Sequence, residues 1–232
     1  MKKFPTLMLF ACAPVQADVV ASIEKFTDIF SISASSVDND VVYTLDGNYY
    51  LTENLRVFGD IDTDSQWEIG LGYSFWSNDD FYTENTVSAN SNTYSTGLFL
   101  AKSINESWLV ISDVNFNYRT DINDPLCYFD EICNGNQLSA KYVRSHTVDY
   151  SLGGMWSPIS FFDLLYKFNH EVGIDRNELE ILSYRTELQR TNFNYHEASM
   201  LFNIGFLKPS ITYTFGKQVS DNYVEFGLAF SF

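Results

Sequence analysis

Tyr223-Val224-Glu225-Phe226-Gly227-Leu228-Ala229-Phe230-Ser231-Phe232 is the stretch on which the fold turns. In an extended chain, Val224, Phe226, Leu228, Phe230 and Phe232 share one face, and Tyr223, Glu225, Gly227, Ala229 and Ser231 share the other. A period of two with one wholly apolar face marks a strand lying between oil and something wetter. The edge strand of a soluble sheet with this pattern would leave a row of large side chains in need of another sheet.

The same alternation repeats upstream. Trp67, Ile69, Leu71, Tyr73 and Phe75 oppose Glu68, Gly70, Gly72 and Ser74, and Phe162, Leu164, Tyr166 and Phe168 oppose Asp163, Lys167, Asn169 and Glu171. The spacing predicts strands over 28–36, 41–51, 55–63, 67–76, 81–88, 93–102, 107–119, 146–157, 161–172, 194–206 and 209–217, which with the last segment makes twelve. Each is near the 9–11 residues that a tilted strand needs to cross a bilayer. Alternate connections are tight and rich in turn residues: Thr52-Glu53-Asn54, Ser77-Asn78-Asp79-Asp80, Ser103-Ile104-Asn105-Glu106, Ser157-Pro158 and Leu207-Lys208. The two longest, about 120–145 and 173–193, both fall on the opposite side, as in barrels with short periplasmic turns and long outer loops. Trp76, Trp108 and Trp156 group near one predicted rim and Trp67 near the other, the placement of an aromatic girdle.

Composition sets limits on function. The 232 residues carry a net charge of −16, which argues against a nucleic-acid partner, because such partners need basic surface. Lys2 and Lys3, the apolar run Leu7–Ala11 and the small-residue pattern Val15-Gln16-Ala17 predict an export signal over residues 1–17, with the mature domain over 18–232. The rival is a lipoprotein signal, Leu9-Phe10-Ala11-Cys12, with Cys12 as the lipidated residue. Cys127 and Cys133 lie six apart in a polar stretch and are expected to form a disulfide in an oxidising compartment; two free loop thiols are the alternative.

The closing strand resembles the signature strand of bacterial outer-membrane barrels, in which Phe226, Leu228, Phe230 and a terminal Phe232 would be read by the barrel-assembly machinery. The resemblance implies an all-β fold, a transmembrane antiparallel up-and-down β-barrel of twelve strands in a Gram-negative outer membrane. It also implies a monomer in contact with outer-membrane lipids and lipopolysaccharide. In general architecture the chain is similar to the small twelve-stranded channels for acidic oligosaccharides. Their lumens carry rows of arginine, so their substrate class does not transfer. In strand number it also resembles the translocator barrels of autotransporters, here without a passenger.

Inward positions in this register include Asp46, Asp60, Asp62, Glu68, Glu84, Asp113, Asp149, Asp163, Glu171, Glu197 and Glu225, against Arg56, Arg119 and Lys167. A water-filled lumen lined in this way would attract cations. The leading expectation is therefore a small cation-preferring diffusion channel. The alternative is a closed structural or surface-interaction barrel, with the acids hydrogen-bonded in a filled interior. His146, His170 and His196 suggest a lipid hydrolase. However, the second residue after each is Val148, Val172 or Ala198, so the His-x-Ser pairing of base and nucleophile is missing. Asp121, Asp124, Asp130 and Glu131 match no calcium-loop spacing, and the sequence implies neither a metal nor a cofactor.

Overall fold

The computed structural model describes residues 29–37, 40–78, 80–125, 139–181, 184–216 and 222–230. The expected export signal, Cys127, Cys133, Asp130, Glu131 and Phe232 fall outside them, as does the side chain of Asp124. Among the described residues, fourteen strands form one antiparallel sheet. β1 (Ile29–Val37), β2 (Asp40–Tyr50), β3 (Leu55–Asp62), β4 (Trp67–Asn78), β5 (Phe81–Asn90), β6 (Thr93–Asn105) and β7 (Trp108–Arg119) run as a meander. β8 (Ile122–Pro125) and β9 (Ser139–Val143) form a short flap. β10 (Thr147–Ile159), β11 (Phe162–Ile181), β12 (Tyr184–Phe202), β13 (Leu207–Phe215) and β14 (Tyr223–Phe230) resume the meander.

β7 pairs directly with β10, and β14 pairs back onto β1 from Phe30 opposite Phe230 to Ser35 opposite Glu225. Twelve strands thus close into a barrel, with β8 and β9 added beyond the ring against the far end of β11. Closure has a direct cause. In hydrocarbon, each unpaired backbone polar group costs several kcal/mol, so a sheet in a membrane cannot keep an open edge.

The register confirms the alternation expected from sequence. Trp67, Ile69, Leu71, Tyr73 and Phe75 are exposed on the outside of β4, while Gly70, Gly72 and Ser74 are buried within. The outer surface as a whole is covered with exposed Ile, Leu, Val, Phe and Tyr, an apolar area that suits lipid and not water. At the turn-bearing rim Trp108 stacks on Trp156 with ring centres 6.1 Å apart, and Trp76 meets Phe81 edge-on at 5.0 Å. A bulge after Ser74 turns Trp76 outward, where strict alternation would have pointed it into the lumen.

The structure departs from expectation in four places. Ser157 and Pro158, expected as a turn, lie within β10, and the chain turns at 160–161. Residues 173–193 are mainly strand: β11 and β12 extend to 20 and 19 residues and pair as far as Ile181 opposite Tyr184. This outer part stands beyond the lipid with both faces wet, so it needs no apolar period and showed none. The strand expected over 194–206 stops at Phe202. Residues 203–206 make the turn, with Gly205 at φ 64°, and Leu207 and Lys208 belong to β13. Finally, the connections 38–39, 63–66 and 91–92 at the flap-bearing end are as short as the turns at the other end. Length asymmetry therefore rests on the β7–β10 and β13–β14 connections and the β11–β12 hairpin.

The seam gives a direct test. Ser31 faces Ala229 across β1 and β14. The double variant Ser31→Cys/Ala229→Cys should form an intramolecular disulfide on oxidation, giving a species that keeps its compact electrophoretic mobility after heating. Free thiols after oxidation of folded protein would mean that the sheet is open there.

Candidate functional site: the barrel lumen

Cross-strand pairing places every expected lumen acid on the inner face. Glu68 faces Asp60, Asp60 faces Asp46, and Asp62 faces Thr44. Asp149 and Asp113 lie on inward rungs of β10 and β7, Asp163 and Lys167 on β11, Glu197 on β12 and Glu225 on β14. Lys208, at an inward position of β13, is a further cation that sequence reading had assigned to a turn.

The lumen wall has two unlike regions. At the turn-bearing end it is packed. Met155 (1 % exposed), Leu165 (4 %) and Leu201 (5 %) cluster with Tyr82, Ala101, Leu109 and Ile111, and Phe99 packs against them. All of these point inward, so this end of the interior is narrowed by apolar side chains. Beside them, Arg56 donates to both oxygens of Glu84, Nε to Oε2 at 2.7 Å and Nη2 to Oε1 at 2.6 Å. Tyr82 donates to the same carboxylate at 2.9 Å, and Arg56 also donates to Asn48 at 3.2 Å. The guanidinium sits 4.7 Å over the Phe58 ring.

This network spans three strands. Arg56 is on β3 and Glu84 on β5, so the pair must reach across β4, and Gly72 makes that possible. A Cβ there would come within 2.6 Å of the Glu84 carboxyl carbon, and one on Gly70 within 2.3 Å of the Phe58 ring. The two glycines of β4 are therefore the space into which the inward Phe58 and Glu84 fit.

Elsewhere in the lumen acids predominate: Asp163, Lys167, Asn169 and Glu197 are buried, while Asp46, Asp60, Glu68, Asp113 and Asp149 are half-buried. Lys167 pairs with Glu197 at 3.7 Å and Arg119 with Glu171 at 2.6 Å. Asp163 accepts from Asn203 at 2.8 Å and lies within electrostatic reach of Lys208. Asp113 accepts from Asn115 at 3.1 Å and from Ser151, and Asp149 accepts from Asn117. Asp62 is partly engaged at the β3–β4 turn, where its Oδ1 accepts from the Gln66 amide at 2.8 Å.

Asp46, Asp60 and Glu68 differ from these. They stand directly opposite one another on β2, β3 and β4, and the charged groups acting on Asp60 are Glu68, Asp46 and Asp62, all acids. Ser31 donates to Asp46 at 2.8 Å, and Glu225 on β14 is close enough to feel the same charge. One wall of the lumen, from β14 through β4, is thus acidic with no cation among the described residues to balance this row.

The three histidines lie on the outside of the wall or at its rim. His170 stacks on Tyr150 with centres 5.0 Å apart, and His146 stacks on Tyr118 at 4.4 Å. His196 sits among Phe168, Tyr166 and Phe215, and its Nδ1 is 2.7 Å from the Tyr166 hydroxyl. The arrangement is that of aromatic-belt residues. Among the described residues, no group of three or more His, Cys, Asp or Glu is placed to hold a metal ion.

No protein-family model matches the chain, and no curated protein matches its sequence. Solved structures do match its fold. The NanC porin superposes with a TM-score of 0.65 at 9 % identity, covering 89 % of this chain and all of that one (100 %). The KdgM porin gives 0.60 at 9 % identity over 88 % of this chain and 99 % of its own, and an outer-membrane channel from Pseudomonas putida F1 gives 0.56 at 14 % over 88 % and 93 %. The chain is a closed, antiparallel, twelve-stranded β-barrel with the fold of the small outer-membrane porins. At this identity the likeness is one of fold.

The Arg56–Glu84 pair, each side chain 2 % exposed, tests the packed end. Removing one partner strands a buried charge, so Arg56→Ala should lower stability by about 3–5 kcal/mol in urea unfolding from lipid vesicles. The double variant Arg56→Met/Glu84→Met should recover most of that loss.

Proposed function

We propose that this barrel is a narrow outer-membrane channel that passes small solutes with a preference for cations. The observation that carries the reading is the Asp46–Asp60–Glu68 row, supported by the wider surplus of inward carboxylates. Arg56, Arg119 and Lys167 each sit against a carboxylate, so their charge is spent locally. A cation moving past the β2–β4 wall meets fixed negative charge in a low-dielectric surround, which raises its local concentration and excludes anions.

The acidity also separates this lumen from an acid-sugar carrier. The KdgM porin has been solved with oligogalacturonate, whereas on the β2–β4 wall of this barrel the one arginine, Arg56, is held by Glu84.

A second reading has its own observation. The inward cluster of Met155, Leu165, Leu201, Leu109 and Ile111 narrows the turn-bearing end, which favours a barrel that is closed at rest and acts through its surface. On either reading, the outward histidines serve as interfacial anchors.

Planar-bilayer recording separates the two. A salt gradient across the reconstituted protein should give discrete conductance steps with a cation-biased reversal potential, and Asp46→Asn/Asp60→Asn/Glu68→Gln should move that potential towards zero. Met155→Ala/Leu165→Ala should enlarge the unitary conductance by widening the packed end. Silence in the parent with conductance in the widened variant would favour the closed barrel. Anion selectivity in the parent would remove the proposal.

A further inference from the structure

The chain carries six arginines in a protein of net charge −16. Five of them, Arg119, Arg144, Arg176, Arg185 and Arg190, line one cleft of about 950 Å³ at the flap-bearing rim. The cleft forms where β7 and β10 end and β9, β11 and β12 rise above them. Such a concentration of guanidinium is not what a solvated acidic surface produces by chance.

By formal charge the cleft is near balance, with Asp121, Asp175, Glu178 and Glu187 also in its lining, but its arginines are unevenly paired. Arg176 is paired with Glu187 at 2.6 Å, Arg185 with Glu178 and Glu180, Arg119 with Glu171, and Asp121 with Lys141. Arg144 and Arg190 have no carboxylate within 4 Å among the described residues. Both line the cleft, and packing around Gly173 sets the stem of Arg190 against the segment that carries Arg144. A Cβ at Gly173 would lie 2.8 Å from the Ser145 hydroxyl and 3.2 Å from the stem of Arg190, and Ser145 is the next residue after Arg144. Partial burial and then the like charge of Arg119 make the Arg144 cation costly, with Tyr142 and Glu171 offsetting this in part. An anion entering the cleft would relieve that cost.

The cleft also has an outer side. Tyr118 and His146 line it, stacked on each other, and Tyr118 is exposed on the lipid-facing surface near the rim where the aromatic belt ends. An anion that reaches this place from the membrane would be a headgroup. The planar fork of arginine matches a phosphate monoester best, giving paired charge-assisted hydrogen bonds.

We propose that the rim cleft is a binding site for a phosphate group carried by a glycolipid of the outer leaflet, held by Arg144 and Arg190 with Arg119 behind them. The site shares Arg119 with the lumen wall but none of the acids of the β2–β4 row. It would fix the β9 flap and the extended β11–β12 hairpin against the membrane surface.

The test uses the full-length protein purified in detergent and native mass spectrometry with three probes: bisphosphorylated lipid A, the same lipid with its phosphates removed, and soluble glucosamine 6-phosphate. The expected result is retention of one phosphorylated lipid. Retention should fall at least tenfold in R144Q/R190Q, with no comparable retention of the dephosphorylated lipid. Each single variant, R144Q or R190Q, should lose part of the retention, so the result does not depend on the double variant folding. Equal retention of the dephosphorylated lipid, unchanged retention in the variants, or binding of glucosamine 6-phosphate as tight as that of the lipid would overturn the proposal. The last outcome would place the ligand in the solute phase.

Discussion

In hydrocarbon, backbone amides and carbonyls have no partner except one another, and the rest of this structure follows from that constraint. A sheet that meets it must close, and closure gives every strand an inside and an outside. Once β14 returns to β1, side-chain identity is sorted by parity: lipid takes Ile69, Leu71 and Tyr73, and the interior takes Glu68, Gly70 and Gly72. The acids that would be costly against lipid are stable only because the wall keeps them on its wet side.

Inside, a second sorting takes place along the axis. The turn-bearing end behaves as a core, with apolar side chains packed around a bidentate ion pair whose charges are buried together. The remainder is a polar wall, with carboxylates held by Ser, Asn and a few cations. On the proposed function, selectivity and closure belong to different heights of one lumen: the acidic row on β2–β4 would set what is attracted, and the Met155–Leu165–Leu201 cluster how wide the path is.

Much of this was legible in the sequence. The alternation in 67–75 and 223–232 gave strand, face and membrane together, because one face had to be greasy and the other could not be. The interior apolar cluster was not legible for a related reason. In Trp108-Leu109-Val110-Ile111 both faces are apolar, so period two carries no signal and the inward Leu109 and Ile111 are masked by their outward neighbours. The outer halves of β11 and β12 were missed because a hairpin standing in water is polar on both faces. The Arg56–Glu84 bridge joins strands that are not neighbours. Its trace in sequence was the inward glycine between them, Gly72, which reads equally well as a bend. The arginine cleft needs the flap to fold over the rim before its residues meet, and no linear spacing announces that.

The alternation itself can be measured most directly along β4. Single cysteines placed in turn from Trp67 to Phe75 in the reconstituted protein would be probed with a water-soluble maleimide and with a quencher confined to the lipid chains. The account predicts strict alternation: quenching by the lipid probe at 67, 69, 71, 73 and 75, and no such quenching at 68, 70, 72 and 74. A continuous run of lipid contact, or a run of water access on both parities, would contradict it.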